Sequence, residues 1–110
     1  MFVARWQFTT QFGKLDDAIN ILRRWEIDVG SRVGWKPGSV RVLTGFIGGD
    51  DSKVEYEARC DSLTDFEAAL RDLERIPHER EYRKQFERVI VSGTSHWTIL
   101  REIDLVPGDA

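Results

Sequence analysis

Of the two histidines in this 110-residue sequence, His96 is the one that falls in a strand-like stretch. An imidazole that titrates near neutrality would act as a general base if it faced an apolar cavity beside a carboxylate such as Glu102. A place near the end of an edge strand favours the plainer alternative, a surface or hydrogen-bonded histidine. Glu55 and Glu57 lie two residues apart, near the spacing of a carboxylate pair that shares a proton, yet Lys53 and Arg59 flank them and would hold both ionised. That pattern favours an ion-pair ladder. His78 follows Pro77 at a helix break, where a capping or loop contact is favoured over a proton relay with Glu79. Among the tryptophans, Trp6, Trp25 and Trp97 sit at core-spaced positions, which leaves Trp35, in a loop, as the ligand-stacking candidate. No Ser–His–Asp order, metal cluster or phosphate-cradling glycine loop can be defended, so no metal or cofactor is expected.

These residues need a scaffold, and the composition describes an ordinary one. An apolar fraction of 41% and a charged fraction of 32% exclude a disordered chain. The length suits one domain spanning residues 1–110. A formal net charge of −3, with Lys and Arg interleaved among Asp and Glu, disfavours a nucleic-acid partner. The lone Cys60 forms no internal disulfide and has no second Cys at metal-ligand spacing, which fits a reducing compartment. No leader-like segment opens the sequence, and no run approaches the roughly 20 apolar residues of a membrane helix. A cytoplasmic protein without a membrane partner is the expectation.

Periodicity supplies the elements. Phe2, Ala4, Trp6 and Phe8 alternate with Val3, Arg5, Gln7 and Thr9, the period of a half-buried strand. After Gly13, Leu15, Ala18, Ile19, Leu22, Trp25 and Val29 recur at helical spacing, with Asp16 and Asp17 at the favourable end of the dipole. Gly34, Pro37 and Gly38 punctuate a loop; residues 40–47 and 53–61 then read as strands joined by the turn formers Gly48 to Ser52 in a hairpin. Ser62 is an N-cap, with Asp65 three residues on, for a helix carrying Leu63, Phe66, Ala69, Leu70 and Leu73. Pro77 breaks it, a second helical segment covers residues 79–91, and residues 95–105 form the last strand before a Pro107, Gly108 tail.

Right-handed crossovers on this βαββαβ order give a four-stranded antiparallel sheet, order 4-1-3-2, with the helices on one face: a ferredoxin-like α+β fold. The other face must meet water, a ligand or another sheet. Alternation puts Val54, Tyr56, Ala58 and Cys60 under the helices and Lys53, Glu55, Glu57 and Arg59 on the uncovered face, joined there by Arg5 and Gln7. On the last strand, placing Trp97, Ile99 and Ile103 under the helices sends His96, Thr98 and Glu102 to the polar side, with Arg101 the awkward residue. Leu43 and Ile47 share the uncovered face with Arg41, and Trp35 leads into that strand. Such a polar centre with an apolar rim suits two sheets packed as a homodimer around a partly polar cavity. The candidate site is then His96 and Arg5 as proton-moving groups, with Gln7, Trp35, Arg41, Glu55, Glu57, Arg59 and Thr98 as ligand contacts.

The chain from Phe2 to Ile103 resembles the dimeric α+β barrel superfamily, and within it NIPSNAP-like proteins of uncharacterised function. The resemblance rests on the element order, the Phe12, Gly13, Lys14, Leu15 entry to the first helix, the turn Gly48 to Ser52, and Val91, Ser92, Gly93, Thr94 followed by Trp97 and Arg101. Many NIPSNAP-like members carry Glu, Leu, Arg in the first strand where this chain has Ala4, Arg5, Trp6, so no role for that acid carries over. The superfamily includes cofactor-free monooxygenases, polyketide cyclases, lactone isomerases, haem enzymes and ligand sensors, sharing a site inside the barrel. Haem is not expected, because only His78 and His96 could ligate it. The resemblance implies a cofactor-free enzyme acting on a small hydrophobic or aromatic compound or, alternatively, a non-catalytic ligand-binding or protein-interaction module.

Overall fold

A computed structural model describes residues 1–36 and 38–106, so Pro37 of the predicted loop and the Pro107, Gly108 tail lie outside the described residues. Strand β1 (Phe2–Thr9) runs antiparallel between β3 (Lys53–Cys60) and β4 (His96–Arg101), and β2 (Arg41–Thr44) flanks β3, giving the order β2-β3-β1-β4. Helices α1 (Leu15–Asp28), α2 (Leu63–Arg75) and α3 (Glu79–Glu87) complete the expected α+β ferredoxin-like arrangement. The predicted alternation holds on the central strands, where Ala4, Phe8, Val54, Tyr56, Ala58 and Cys60 are buried beneath Trp25, Leu73 and Phe86. Burying each large apolar side chain contributes about 1.5–3 kcal/mol.

Local chemistry sets the element ends. The Ser62 hydroxyl oxygen accepts from the Asp65 N–H at 3.1 Å and starts α2 as its pattern predicts. The break after α2 passes through extended Ile76 and Pro77 to His78, whose φ of 76° is left-handed, so His78 redirects the backbone into α3 without capping it by its side chain.

Three elements are shorter than their patterns predict. β2 stops at Thr44 instead of residue 47, because the chain folds at Gly45 onto Gly49 and Asp50; a Cβ there would collide with the Asp50 carbonyl. Ile47 therefore projects from a loop, 88% exposed, and not from the uncovered sheet face. α3 ends at Glu87 instead of residue 91, since Ile90 bridges to Thr10 and the Val91 N–H bonds to the Thr9 carbonyl. β4 ends at Arg101 because its partner β1 begins at Phe2, opposite Arg101. Beyond it no strand remains to pair with, and Ile103, expected under the helices, is exposed.

Candidate functional site

The uncovered face carries the charged rows that alternation predicts, and it is ion-paired throughout. Glu57 is 2% exposed although no helix covers it. Arg5 Nη2 lies 2.5 Å from its Oε2, and Arg41 Nε lies 2.6 Å from its Oε1. Burial pushes the Glu57 carboxyl up, but the two guanidiniums outweigh burial and hold it below the usual carboxylate range. Glu55 lies 3.7 Å from Arg5 and 3.5 Å from Lys53, and Arg59 pairs with Glu102.

Register places Thr98 opposite Arg5 and His96 opposite Gln7. The structure thus brings Arg5, Gln7, Arg41, Glu55, Glu57, Arg59, His96 and Thr98 onto one face. It does not assemble the histidine–carboxylate pair considered for His96. That imidazole is exposed at the start of β4, contacts the Gln7 amide and lies 3.1 Å from the Thr94 carbonyl, while Glu102 is taken by Arg59. Nor do His78 and Glu79 form a relay: Glu79 accepts from Arg83 at 3.0 Å, and His78 faces Glu81 at 3.5 Å.

Trp25 lies in the core and Trp6 and Trp97 pack against it, as their spacing predicts, whereas Trp35 departs from its expected role. Trp35, the ligand-stacking candidate, is 8% exposed and lies in the core against Phe66 and Trp97, with centroids 6.4 and 6.1 Å away. The 3₁₀ turn Gly30–Arg32 and extended Val33 return the chain to the helix side and carry Trp35 under α2. Trp6 and Trp97, read as core, are cross-strand partners with rings 21° from parallel and both half-buried.

Together with Trp25 and Phe86, Trp6 and Trp97 wall a cleft of about 650 Å³ between α3 and the β1–β4 edge. Its rim holds the Glu79–Arg83 pair and the turn 92–95, where Gly93 adopts φ 84° and Ser95 accepts from the Trp6 indole N–H at 2.9 Å. The half-buried indoles present an apolar wall suited to the face of a flat ring, and Ser92 and Ser95 at the rim add hydroxyls. Nothing in the sequence marked this cleft, because how far the helices cover the sheet edge is set by packing.

The helix side also holds two phenol–carboxylate pairs in which a buried tyrosine meets a half-buried acid, Tyr56 donating to Glu26 and Tyr82 donating to Asp28. Burial raises the Glu26 carboxyl above its usual range, against the opposing Tyr56 hydrogen bond. The Tyr56 hydroxyl is raised by burial and then by the hydrogen bond and charge of Glu26. Neither pair was visible in the sequence, since the partners are 30 and 54 residues apart. Among the described residues no three His, Cys, Asp or Glu side chains cluster as a metal site, and no helix is long and apolar enough to cross a membrane.

No protein-family model matches the sequence, and no curated protein matches it. Solved structures do. A NIPSNAP family protein of Agrobacterium tumefaciens superposes with a TM-score of 0.78 at 19% identity, covering 96% of each chain. A NIPSNAP domain protein of Burkholderia xenovorans gives 0.75 at 14% identity, over 97% of this chain and 99% of that one. An antibiotic biosynthesis monooxygenase gives 0.68 at 9% identity, over 94% and 100%. At such identities the likeness is one of fold: this chain has the ferredoxin-like α+β architecture that NIPSNAP family proteins share with antibiotic biosynthesis monooxygenases.

Proposed function

We propose that the protein binds a small planar hydrophobic compound in the tryptophan-lined cleft between α3 and the β1–β4 edge. The observation that carries this reading is the half-buried Trp6–Trp97 pair, which walls a cleft of about 650 Å³ together with Trp25 and Phe86. That volume lies within the range of small-molecule sites. The antibiotic biosynthesis monooxygenase lends support to a cofactor-free enzyme of monooxygenase, cyclase or isomerase type, but fold alone does not carry a reaction. Glu79 at the rim is committed to Arg83, so the geometry supports binding over proton transfer there. Calorimetric titration with naphthol tests the proposal. Saturable binding is expected, with at least tenfold weaker affinity in Ser92→Trp, which fills the cleft from its exposed rim; no saturable binding by the native chain rejects it.

A homodimer through the uncovered face belongs to the same reading. Val3, Leu43 and Leu100 share that face with the ion network, and Leu43 is exposed. Internal pairing of its charges supports a packing surface over a second reaction chamber. Light scattering at micromolar concentration checks it, and a monomer would reject it.

A further inference from the structure

A second cleft, of about 690 Å³, lies on the opposite side of the helix layer, between α1 and the β2–β3 edge. Its walls are apolar, chiefly Leu15, Ile19, Leu22, Val40 and Val42. Tyr56 and Glu26 meet in the same lining.

Glu26 is electrostatically unlike every carboxylate of the uncovered face. Its partner is a neutral phenol, and among the described residues no Lys, Arg or His forms an ion pair with it. Arg23, the basic residue of the lining, is exposed and directed to Asn20 Oδ1 at 3.4 Å. Asp16, the other acid of the lining, adds negative charge instead of neutralising it. Gly30 backs the carboxylate so closely that a Cβ would collide with Glu26 Oε2 and come within 2.7 Å of the Trp25 ring. Oε2 is thus held by Tyr56, and Oε1 has no hydrogen-bond partner among the described residues.

A half-buried carboxylate without a counter-ion, set in an apolar cleft, is complementary to one ligand class. A cation with an apolar body regains the missing charge partner and buries its hydrocarbon in the same step. A neutral ligand gains only the second of these, and an anion is repelled.

We infer that this cleft is a binding site for a hydrophobic amine, its ammonium on Glu26 and its apolar body between α1 and Val42. The inference does not rest on the tryptophan-lined cleft, and naphthol should not compete with the amine.

Calorimetric titration with phenethylamine, and with phenethyl alcohol as its neutral counterpart, tests it at neutral pH. The native chain should bind the amine at least tenfold more tightly than the alcohol. Glu26→Gln, whose amide oxygen still accepts from Tyr56, should remove that preference while leaving alcohol binding within twofold. Should this variant fold poorly, Val42→Trp on the exposed edge strand is the second arm, and it should block amine binding with Glu26 in place. Failure of the native chain to prefer the amine overturns the inference, as does an unchanged preference in Glu26→Gln or unimpaired amine binding in Val42→Trp.

Discussion

The two faces of one sheet bury charge by opposite means. On β3 the residues alternate between the helix layer, where Tyr56 is 0% exposed, and the uncovered face, where Glu57 is 2% exposed. Tyr56 is covered by hydrocarbon, and its hydroxyl reaches a carboxylate that has no counter-ion. Glu57 is covered by the two guanidiniums that neutralise it. Burial is therefore not one property: on the helix side it destabilises the charged form of Glu26, whereas on the open side it accompanies a charge that is favoured.

The comparison breaks first where packing dominates. Trp25, 5% exposed and 5.2 Å from Tyr56 between ring centroids, anchors the helix side. Trp25→Ala should cost about 3–5 kcal/mol in urea unfolding; a loss no larger than that from an open-face change would deny the helix side its leading role. Next comes the ion network. The double variant Arg5→Ala with Arg41→Ala removes both guanidiniums that cover and neutralise Glu57 and opens the carboxylate to water, so it should cost about 2 kcal/mol, less than a charge stranded in the core. Either single variant leaves one guanidinium in place and should cost about 1 kcal/mol or less. Equal losses in the double variant and in either single variant would mean that the second guanidinium adds nothing and that the network does not stabilise this face.

The pH response sharpens the contrast by sign. The folded state holds the Glu57 carboxyl below its ordinary value of 4.5, so the stability it contributes is present above that value and lost as pH falls through the folded value. Glu26 is raised above 4.5, so its contribution is present below that value and lost as pH rises through the folded one. In stability-against-pH profiles, Glu57→Gln should blunt the acid loss and Glu26→Gln should blunt the loss on the other side of the carboxylate range. Profiles that change in the same direction would refute the two-means account. The smallest effect is expected of Arg23→Ala, an exposed change on α1 that should shift unfolding by less than about 0.5 kcal/mol.

Cys60 offers a kinetic check of the helix side. It is 1% exposed, and burial followed by the charges of Asp65 and Asp61 raises its thiol. Labelling by a thiol reagent should be slow in the native state and rapid in urea.

What the sequence determined by itself is what depends on neighbours in the chain. Alternation assigned Val54, Tyr56, Ala58 and Cys60 to one face and Glu55, Glu57 and Arg59 to the other, because a strand's side chains point to opposite sides whatever packs on them. The start of α2 was equally local, a hydroxyl three residues from the N–H it caps. Tertiary structure alone decided where the strands stop, since a strand ends when its partner does, as β4 does opposite Phe2. It also decided which tryptophans face a cleft, because that depends on how much of the sheet the helices cover. The Tyr56–Glu26 contact belongs to the same class: its two residues carry no mark of each other in sequence, and only the packing of α1 over β3 sets the phenol against the carboxylate.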